Sequence, residues 1–210
     1  MAALRLERLR TRVLEPIDLT LDAGELVFLS GPSGAGKSLL LRAIADLDPH
    51  EGEVWLGAEP RSRMAPPLWR RRVGLLPAET FWWAETVGEH LPPGSSTTAH
   101  PTPLAAWLAD LGFERDVIGW SVARLSSGER QRLALVRLLV QGPEALLLDE
   151  ATANLDPTNA ARVETLVETY RRDRSAAVLW VSHDPAQRRR LGGRSLLIRD
   201  ARLEPEPVTP

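Results

Sequence analysis

The sequence predicts an α/β fold in which a mostly parallel sheet is covered by helices on both faces. Two observations support this prediction. Short apolar segments rich in Leu and Val alternate with segments of helical periodicity. The apolar segments also fall well short of the ~20 residues that cross a bilayer. A chain of 210 residues is long enough for one large domain. We therefore expect a single α/β domain over residues 1–210.

The strands and helices follow from local patterns taken in chain order. Alternating apolar residues on either side of Pro16 predict two early strands separated by this proline. Further strands are expected at 26–29, 53–56, 73–76, 146–148, 177–181, 196–198 and 202–203, and helices at 37–46, 130–140 and 158–172.

The middle of the chain differs in character from the rest. Residues from about 84 to 142 are mostly helical in pattern and are interrupted by a Pro- and Ser-rich loop at 92–98. We interpret this segment as a helical insertion into the α/β domain. The tail at 205–210 and the residue before it are expected to be a frayed end.

Charge and composition exclude several classes of protein. The net charge of −2 provides no general attraction for nucleic acid, so no nucleic-acid partner is expected. The arginine runs at 70–72 and 188–190 are interpreted as solvated helix faces. The chain has no cysteine, which excludes disulfides and thiolate metal sites and fits a reducing compartment. With no signal peptide and no long apolar run, the chain is not expected to be a membrane protein itself.

A complete phosphate-binding loop follows the strand predicted at 26–29. Its sequence matches G-x-x-x-x-G-K-[ST] and contains Lys37, the one lysine of a chain in which the other 25 basic side chains counted as Lys or Arg are arginine. A compact ammonium enters a narrow loop as a point charge, which a wide guanidinium cannot do. Lys37 is expected to reach the β- and γ-phosphates and Ser38 to bind Mg²⁺. The alternative is a chance glycine-rich turn. The predicted nucleotide-binding residues are Gly31, Pro32, Ser33, Gly34, Ala35, Gly36, Lys37, Ser38 and Leu39.

Three further segments carry chemically useful side chains. An apolar strand ends in Asp149 and Glu150, the first suited to Mg²⁺ and the second to an attacking water. Ser126 or Ser127 can cap the following helix, whose N-terminus attracts anions. His183 follows a strand at the edge where open α/β sheets bind ligands. Each has a plain structural alternative: an acidic cap, a well-capped helix and a structural histidine.

Taken in order, these motifs resemble the ATP-binding cassette (ABC) ATPases over about residues 4–203. They are the phosphate loop, Leu-Ser-Ser-Gly-Glu at 125–129, the strand ending in two acids, Leu155-Asp156, and the strand before His183. The resemblance implies a P-loop NTPase. Its RecA-like core and small antiparallel β portion would lie at about 1–80 and 143–204, and its inserted helical subdomain at about 81–142. It also implies a head-to-tail dimer, expected to be a homodimer, that binds ATP and Mg²⁺ between its subunits.

The resemblance further implies a role for individual residues. Ser126 and Gly128 would face the γ-phosphate bound by the partner subunit, and Asp156 would signal across the dimer. Glu150 would be the catalytic carboxylate, and His183 would contact the γ-phosphate. The family partner is a separately encoded transmembrane permease, which implies a cytoplasmic chain peripheral on the inner face of the cell membrane. The string at 177–184 is similar to the Fet-type ATPases of iron and metal export.

The chain departs from the family pattern at four positions. Ala78 stands where the family has the Q-loop glutamine, with Glu79 as a possible substitute one residue later, and Ser127 replaces the usual second glycine. Leu39 replaces a common threonine. The segment at 9–14 lacks the aromatic that stacks on adenine. The hydrolytic residues are all present, so an active ATPase is expected.

Phe81, Trp82 and Trp83 follow the altered Q-loop position. Three consecutive aromatics cannot all face one core from a regular element, so at least one is expected to be exposed and to border the permease groove. Core packing is an equally weighted alternative for each of them singly.

Three other functions compete with a transporter subunit. A soluble ABC ATPase of the DNA-repair or translation type would commonly have coiled-coil arms or two cassettes, and this chain has one cassette and no heptad run. A regulatory cassette with weak hydrolysis would fit the altered Q-loop. A P-loop kinase would leave the segment at 125–129 and His183 unexplained.

Overall fold

The computed structural model describes residues 2–92 and 104–206, which form a six-stranded and a four-stranded sheet. The strands are β1 (Ala2–Thr11), β2 (Leu14–Asp22), β3 (Leu26–Ser30), β4 (Glu51–Leu56), β5 (Glu59–Pro60), β6 (Val73–Leu76), β7 (Ala145–Asp149), β8 (Ala177–Val181), β9 (Arg194–Arg199) and β10 (Arg202–Pro205). The helices are α1 (Lys37–Ile44), α2 (Pro66–Arg72), α3 (Leu104–Asp110), α4 (Ser127–Leu139), α5 (Pro157–Arg174) and α6 (Pro185–Leu191).

The larger sheet confirms the predicted parallel arrangement. Its strand order is β10-β9-β3-β8-β7-β6, and only the β9–β10 pair at one edge is antiparallel. Strands β3, β7 and β8 are buried along their whole length, as expected for parallel strands covered on both faces. Because β3, β8 and β7 are neighbours, the loops that follow them lie side by side at one end of the sheet.

The smaller sheet is antiparallel, with the order β2-β1-β4-β5. The prediction that Pro16 separates the first two strands was wrong, because Pro16 lies inside β2. The chain turns at residues 12–13 instead. Since β2 is an edge strand, a residue without a backbone N–H costs it no interior ladder hydrogen bond.

Two hydrophobic clusters fill the two sides of the large sheet. One contains α1, Trp69 and the buried face of the antiparallel sheet. The other contains side chains of α3, α4 and α5. Trp180 of β8 is fully buried in the second cluster, with its ring centroid 5.9 Å from that of Phe28. This tryptophan therefore serves core packing.

Residues between β6 and β7 leave the sheet and return to it, since these two strands pair in parallel. The described part of this excursion contains α3, α4 and short 3-10 turns. Residues 93–98 of the predicted loop lie outside the described residues, and the proposed subdomain boundaries stay predictions. In the described ranges, no helix has both the length and the hydrophobicity needed to cross a membrane.

Four of the six arginines at 70–72 and 188–190 are exposed, as expected for solvated helix faces, while Arg72 and Arg188 are half-buried. Arg72 pairs with Glu59 and Glu144, and Arg188 pairs with Glu206, so these side chains hold elements together. The expected fraying from residue 204 was wrong up to Glu206. Residues 204 and 205 belong to β10, and the Glu206 amide donates to the Ser195 carbonyl at 2.9 Å. Residues 207–210 lie outside the described part of the chain.

Candidate functional site

The loop at 31–36 connects the buried strand β3 to helix α1 and is shaped by its glycines. Gly31 has φ 143°, and a Cβ added there would lie 2.7 Å from the Ile198 carbonyl oxygen. Gly36 has φ 101°, and its Cβ would lie 2.9 Å from Val13 Cγ2. Both positions therefore require glycine for conformation and for space. Gly36 begins α1 without a side-chain cap, which leaves the helix N-terminus available to an anion.

Lys37 folds back onto this loop. Its Nζ donates to the Gly31 and Pro32 carbonyls at 2.9 and 3.0 Å, and the residue is 6% exposed. Burial lowers the pKa of the Lys37 ammonium, while the Glu150 and Asp149 carboxylates act in the opposite direction. A cation so poorly solvated is ready to exchange its carbonyl partners for phosphate oxygens.

Asp149 ends β7 near Ser38. Burial raises the pKa of Asp149, and the Ser38 hydroxyl and the Lys37 ammonium partly offset this. One desolvated carboxylate and one hydroxyl suit Mg²⁺, which usually retains waters and phosphate oxygens in its remaining positions. Residues 2–92 and 104–206 contain no group of three His, Cys, Asp or Glu side chains arranged to hold a metal ion.

Glu150 and His183 form a pair beside Asp149. The Glu150 Oε1 atom lies 3.2 Å from His183 Nε2, and the two side chains are 36% and 49% exposed. Glu150 has φ 50°, a left-handed conformation that is uncommon for a residue with a side chain and is frequent at functional sites. Its amide donates to the Val181 carbonyl at 3.1 Å, which ties the end of β7 to the end of β8. The pair borders a cleft of about 600 Å³.

The LSSGE segment and Asp156 lie on local caps. Ser126 forms a capping box with Glu129 at the start of α4, and these bonds lower the pKa of Glu129. A Cβ on Gly128 would approach a side-chain carbon of Leu155 to 3.1 Å. Asp156 caps α5 by accepting from the Thr158 and Asn159 amides, which lowers its pKa. The structure thus brings Lys37, Ser38, Asp149, Glu150 and His183 together, while the roles predicted for Ser126, Gly128 and Asp156 across a dimer stay predictions.

The altered Q-loop position is close to α4. Ala78 is half-buried and Glu79 is exposed. The Pro77 carbonyl accepts a bond from Gln131 Nε2 at 3.3 Å. A glutamine therefore approaches this loop from α4, at a contact that local sequence patterns do not reveal.

Sequence reasoning missed two features beside the site. Val13 lies against Gly36 and is 41% exposed, although nothing in its local pattern marks it. Gln187, in the arginine-rich helix α6, forms a buried bond to Ser182, the residue before His183. No periodicity or motif in the sequence points to Gln187.

Comparisons with known proteins show the family of the chain. Residues 14–153 match the profile of the ABC transporter family. The chain is 34% identical over 177 residues to the probable iron export ATP-binding protein FetA of Escherichia coli, covering 82% of this chain and 79% of that protein. It is 36% identical over 214 residues to the phosphate import ATP-binding protein PstB 2 of Natronomonas pharaonis, covering 92% and 74%.

A solved structure shares the fold. The ATP-binding cassette MJ0796, determined as a dimer in a post-hydrolysis state with ADP and Pi, has a TM-score of 0.78 and 24% identity, covering 96% of this chain and 98% of that one. The solved structure supports only the fold, whereas the family profile and the two curated relatives identify the family. The chain belongs to the ABC transporter family, as one of its ATP-binding subunits.

Proposed function

We propose that this chain hydrolyses ATP with Mg²⁺ and thereby drives a separately encoded transmembrane permease. The observation that supports this most directly is the meeting of Lys37, Ser38, Asp149, Glu150 and His183 where β3, β7 and β8 end. This set contains a cation for the phosphates, two ligands for Mg²⁺, a general base and a neighbouring imidazole. A chance glycine-rich turn does not explain why three side chains from two distant segments, Asp149, Glu150 and His183, meet Lys37 and Ser38.

Binding of the nucleotide would begin at the phosphate loop. The N–H groups of the loop and of the open N-terminus of α1 would donate to the phosphates. Lys37 Nζ would move from the Gly31 and Pro32 carbonyls to the β- and γ-phosphate oxygens. Ser38 and Asp149 would hold Mg²⁺, which supplies charge neutralisation on the phosphates.

Glu150 would then orient the attacking water and accept its proton. Its carboxylate is partly exposed to the cleft, so a water molecule can reach Oε1 and Oε2. His183 Nε2, now 3.2 Å from Glu150 Oε1, would hold that carboxylate in place and lie close to the γ-phosphate.

We propose that hydrolysis occurs in a head-to-tail dimer. Ser126 and Ser127 are exposed at the N-terminus of α4, where a second subunit's phosphate can approach them. Gly128 lies against Leu155, next to Asp156, so a contact at the partner's phosphate is mechanically connected to the segment that follows Glu150.

A surface formed by Phe81, Trp82 and Trp83 is the proposed docking site for the permease. Phe81 and Trp83 are 73% and 64% exposed, which confirms that at least one of the three faces solvent. Arg137 lies 4.6 and 4.9 Å from the centroids of Trp82 and Trp83 and donates to the Phe81 carbonyl at 3.0 Å. His90 accepts from the Trp83 amide at 2.9 Å. The aromatics are therefore held in place before any partner binds, which reduces the ordering cost of association.

Docking on a permease would place the chain in the cytoplasm, peripheral on the inner face of the cell membrane. Metal or iron export is the proposed transport activity, supported by the similarity to FetA and by the segment at 177–184. Deleting the gene should increase metal sensitivity and cellular iron, measured by growth and elemental analysis. Unchanged iron content would contradict export of this substrate.

Glu150→Gln tests the hydrolytic proposal. The amide keeps the shape of the side chain but has no basic oxygen, so ATP binding should persist while steady-state hydrolysis falls at least 100-fold. Size-exclusion chromatography with ATP should then show a dimer. Glu51→Gln, at an exposed acid remote from the site, is the control. Wild-type protein without Mg²⁺-dependent hydrolysis would favour the regulatory cassette, and substantial hydrolysis by Glu150→Gln would exclude Glu150 as the base.

A further inference from the structure

A polar cluster with three buried members lies directly behind the catalytic pair. It consists of the buried Glu164, Ser182 and Gln187, the half-buried Thr152 and the exposed Arg190, and we refer to it as the α6 cluster. Gln187, Glu164 and Ser182 are 1%, 4% and 5% exposed. Burying polar groups costs free energy unless they are hydrogen-bonded, and apolar residues would fill the same space at lower cost. The position of the cluster therefore calls for a functional reason.

Gln187 is the centre of the α6 cluster and uses both ends of its amide. Its Oε1 accepts from Ser182 Oγ at 2.5 Å. Its Nε2 donates to Thr152 Oγ1 at 2.9 Å and to Glu164 Oε1 at 3.0 Å. The Glu164 carboxylate is further paired with Arg190, whose Nη2 lies 2.7 Å from Oε1. A single side chain thus connects the loop after β7, helix α5 and the end of β8.

The two loop residues held by Gln187 flank the catalytic pair. Thr152 lies two residues after Glu150, and Ser182 immediately precedes His183. Ser182 is held a second time, because Arg188 Nη1 donates to its carbonyl at 3.1 Å. The amide of Gln187 therefore joins the segment that carries the base to the segment that carries the imidazole.

We infer that Gln187 is a positioning residue for ATP hydrolysis, acting through Thr152 and Ser182 to keep Glu150 and His183 at their contact distance of 3.2 Å. This inference rests on the proposed hydrolytic function. Loss of the Thr152 bond removes the contact that Gln187 makes with the segment after Glu150, whereas Ser182 is still held by Arg188. Small displacements of a base from its water reduce turnover strongly. The α6 cluster includes no residue of the phosphate loop, so substitutions in the cluster should leave the affinity for nucleotide unchanged.

The test compares a variant that removes all the Gln187 bonds with variants that change only the bond to Thr152. Gln187→Leu removes all the amide bonds, Thr152→Val removes the hydroxyl while keeping the shape, and Thr152→Ser restores the hydroxyl. Tyr170→Phe is the matched control, since it removes a buried hydroxyl bond of 2.9 Å to the Pro143 carbonyl from the same helix α5 as Glu164. All are assayed for kcat, for the KM of ATP and for Tm.

We expect kcat to fall at least tenfold in Gln187→Leu and Thr152→Val, with KM changed less than twofold. Thr152→Ser should keep at least half of the wild-type kcat, and Tyr170→Phe should lower Tm but not kcat. If Gln187→Leu does not fold, the Thr152 pair decides. A kcat of Thr152→Val within twofold of that of Thr152→Ser would overturn the inference.

A second readout does not depend on turnover. The imidazole ¹⁵N resonances of His183 in the nucleotide-free protein should shift in Thr152→Val and stay unchanged in Thr152→Ser and Tyr170→Phe. Resonances that do not move in Thr152→Val would refute positioning by the α6 cluster. If the His183 resonances shift in Thr152→Val but the wild-type protein shows no hydrolysis, the proposed function is refuted instead.

Discussion

Replacing Lys37 by arginine tests whether the single lysine of the chain is chemically required. The Lys37 Nζ atom fits between two carbonyl oxygens at 2.9 and 3.0 Å and is almost fully buried. A guanidinium keeps the positive charge but spreads it over a planar fork, which does not fit between these two oxygens. We therefore expect Lys37→Arg to lose most of the benefit of the cation at the phosphates.

The size of the effect follows from the electrostatics. A unit charge about 4 Å from a phosphate charge is worth about 4 kcal/mol at an effective dielectric constant of about 20. Lys37→Ala removes this interaction and should lower kcat/KM by about 1000-fold, because each ~1.4 kcal/mol is a factor of ten. Lys37→Arg should still lower it at least 100-fold, since the charge is present but displaced.

The assay is Mg²⁺-dependent phosphate release, accompanied by thermal unfolding of each variant. Arg63→Lys, on an exposed surface, controls for exchange between the two cation types. The Tm should change little in Lys37→Arg. Turnover within threefold of wild type in Lys37→Arg would show that the narrow fit around Nζ has no functional meaning.

Three other predictions concern the proposed Mg²⁺ ligand Asp149, recognition of the nucleotide's adenine base, and docking on the permease. Burial raises the pKa of Asp149, so its ionised form destabilises the nucleotide-free fold at pH above that raised pKa. This cost decreases as pH falls below the folded-state pKa and is gone below the lower pKa of the unfolded chain. Asp149→Asn should therefore raise Tm at neutral pH while abolishing turnover, and a lower Tm would contradict this. Wild type should discriminate weakly between ATP and GTP. Val13→Tyr should tighten ATP binding about tenfold, because stacking on a nucleotide base is worth ~1–3 kcal/mol. Unchanged affinity in calorimetry would place the adenine elsewhere. Trp83→Ala should leave basal ATPase activity nearly intact but weaken binding to the permease by ~2 kcal/mol or more, as measured by co-purification. Leu68→Ala, at another exposed apolar residue, should have no such effect. Loss of stability without a docking defect would place Trp83 in a structural role.

The sequence alone was sufficient to predict the parallel sheet and the phosphate loop. Both are encoded by short-range patterns: buried strands such as β3 and β7 appear as continuous apolar runs, and the loop spacing places glycines where only glycine fits. The acids after β7 and His183 after β8 were also predictable, because parallel strands bring their carboxyl ends to one edge of the sheet.

Other features depend on contacts between distant parts of the chain. Pro16 reads locally as a strand boundary, and only its place on an edge strand makes it tolerable within β2. Likewise, three consecutive aromatics give no sign of which ones are exposed. That choice is made by Arg137 and His90, which come from other elements and hold the loop in one conformation.

Gln187 shows most clearly what the tertiary structure decided. Its partners Thr152 and Glu164 are 35 and 23 residues away in sequence, and Ser182 is five residues away. Nothing in the arginine-rich segment around Gln187 distinguishes it from a solvent-facing residue. Periodicity and motif spacing report which residues are neighbours along one strand or helix. Only the packing of α5 and α6 against the ends of β7 and β8 brings this amide behind Glu150 and His183.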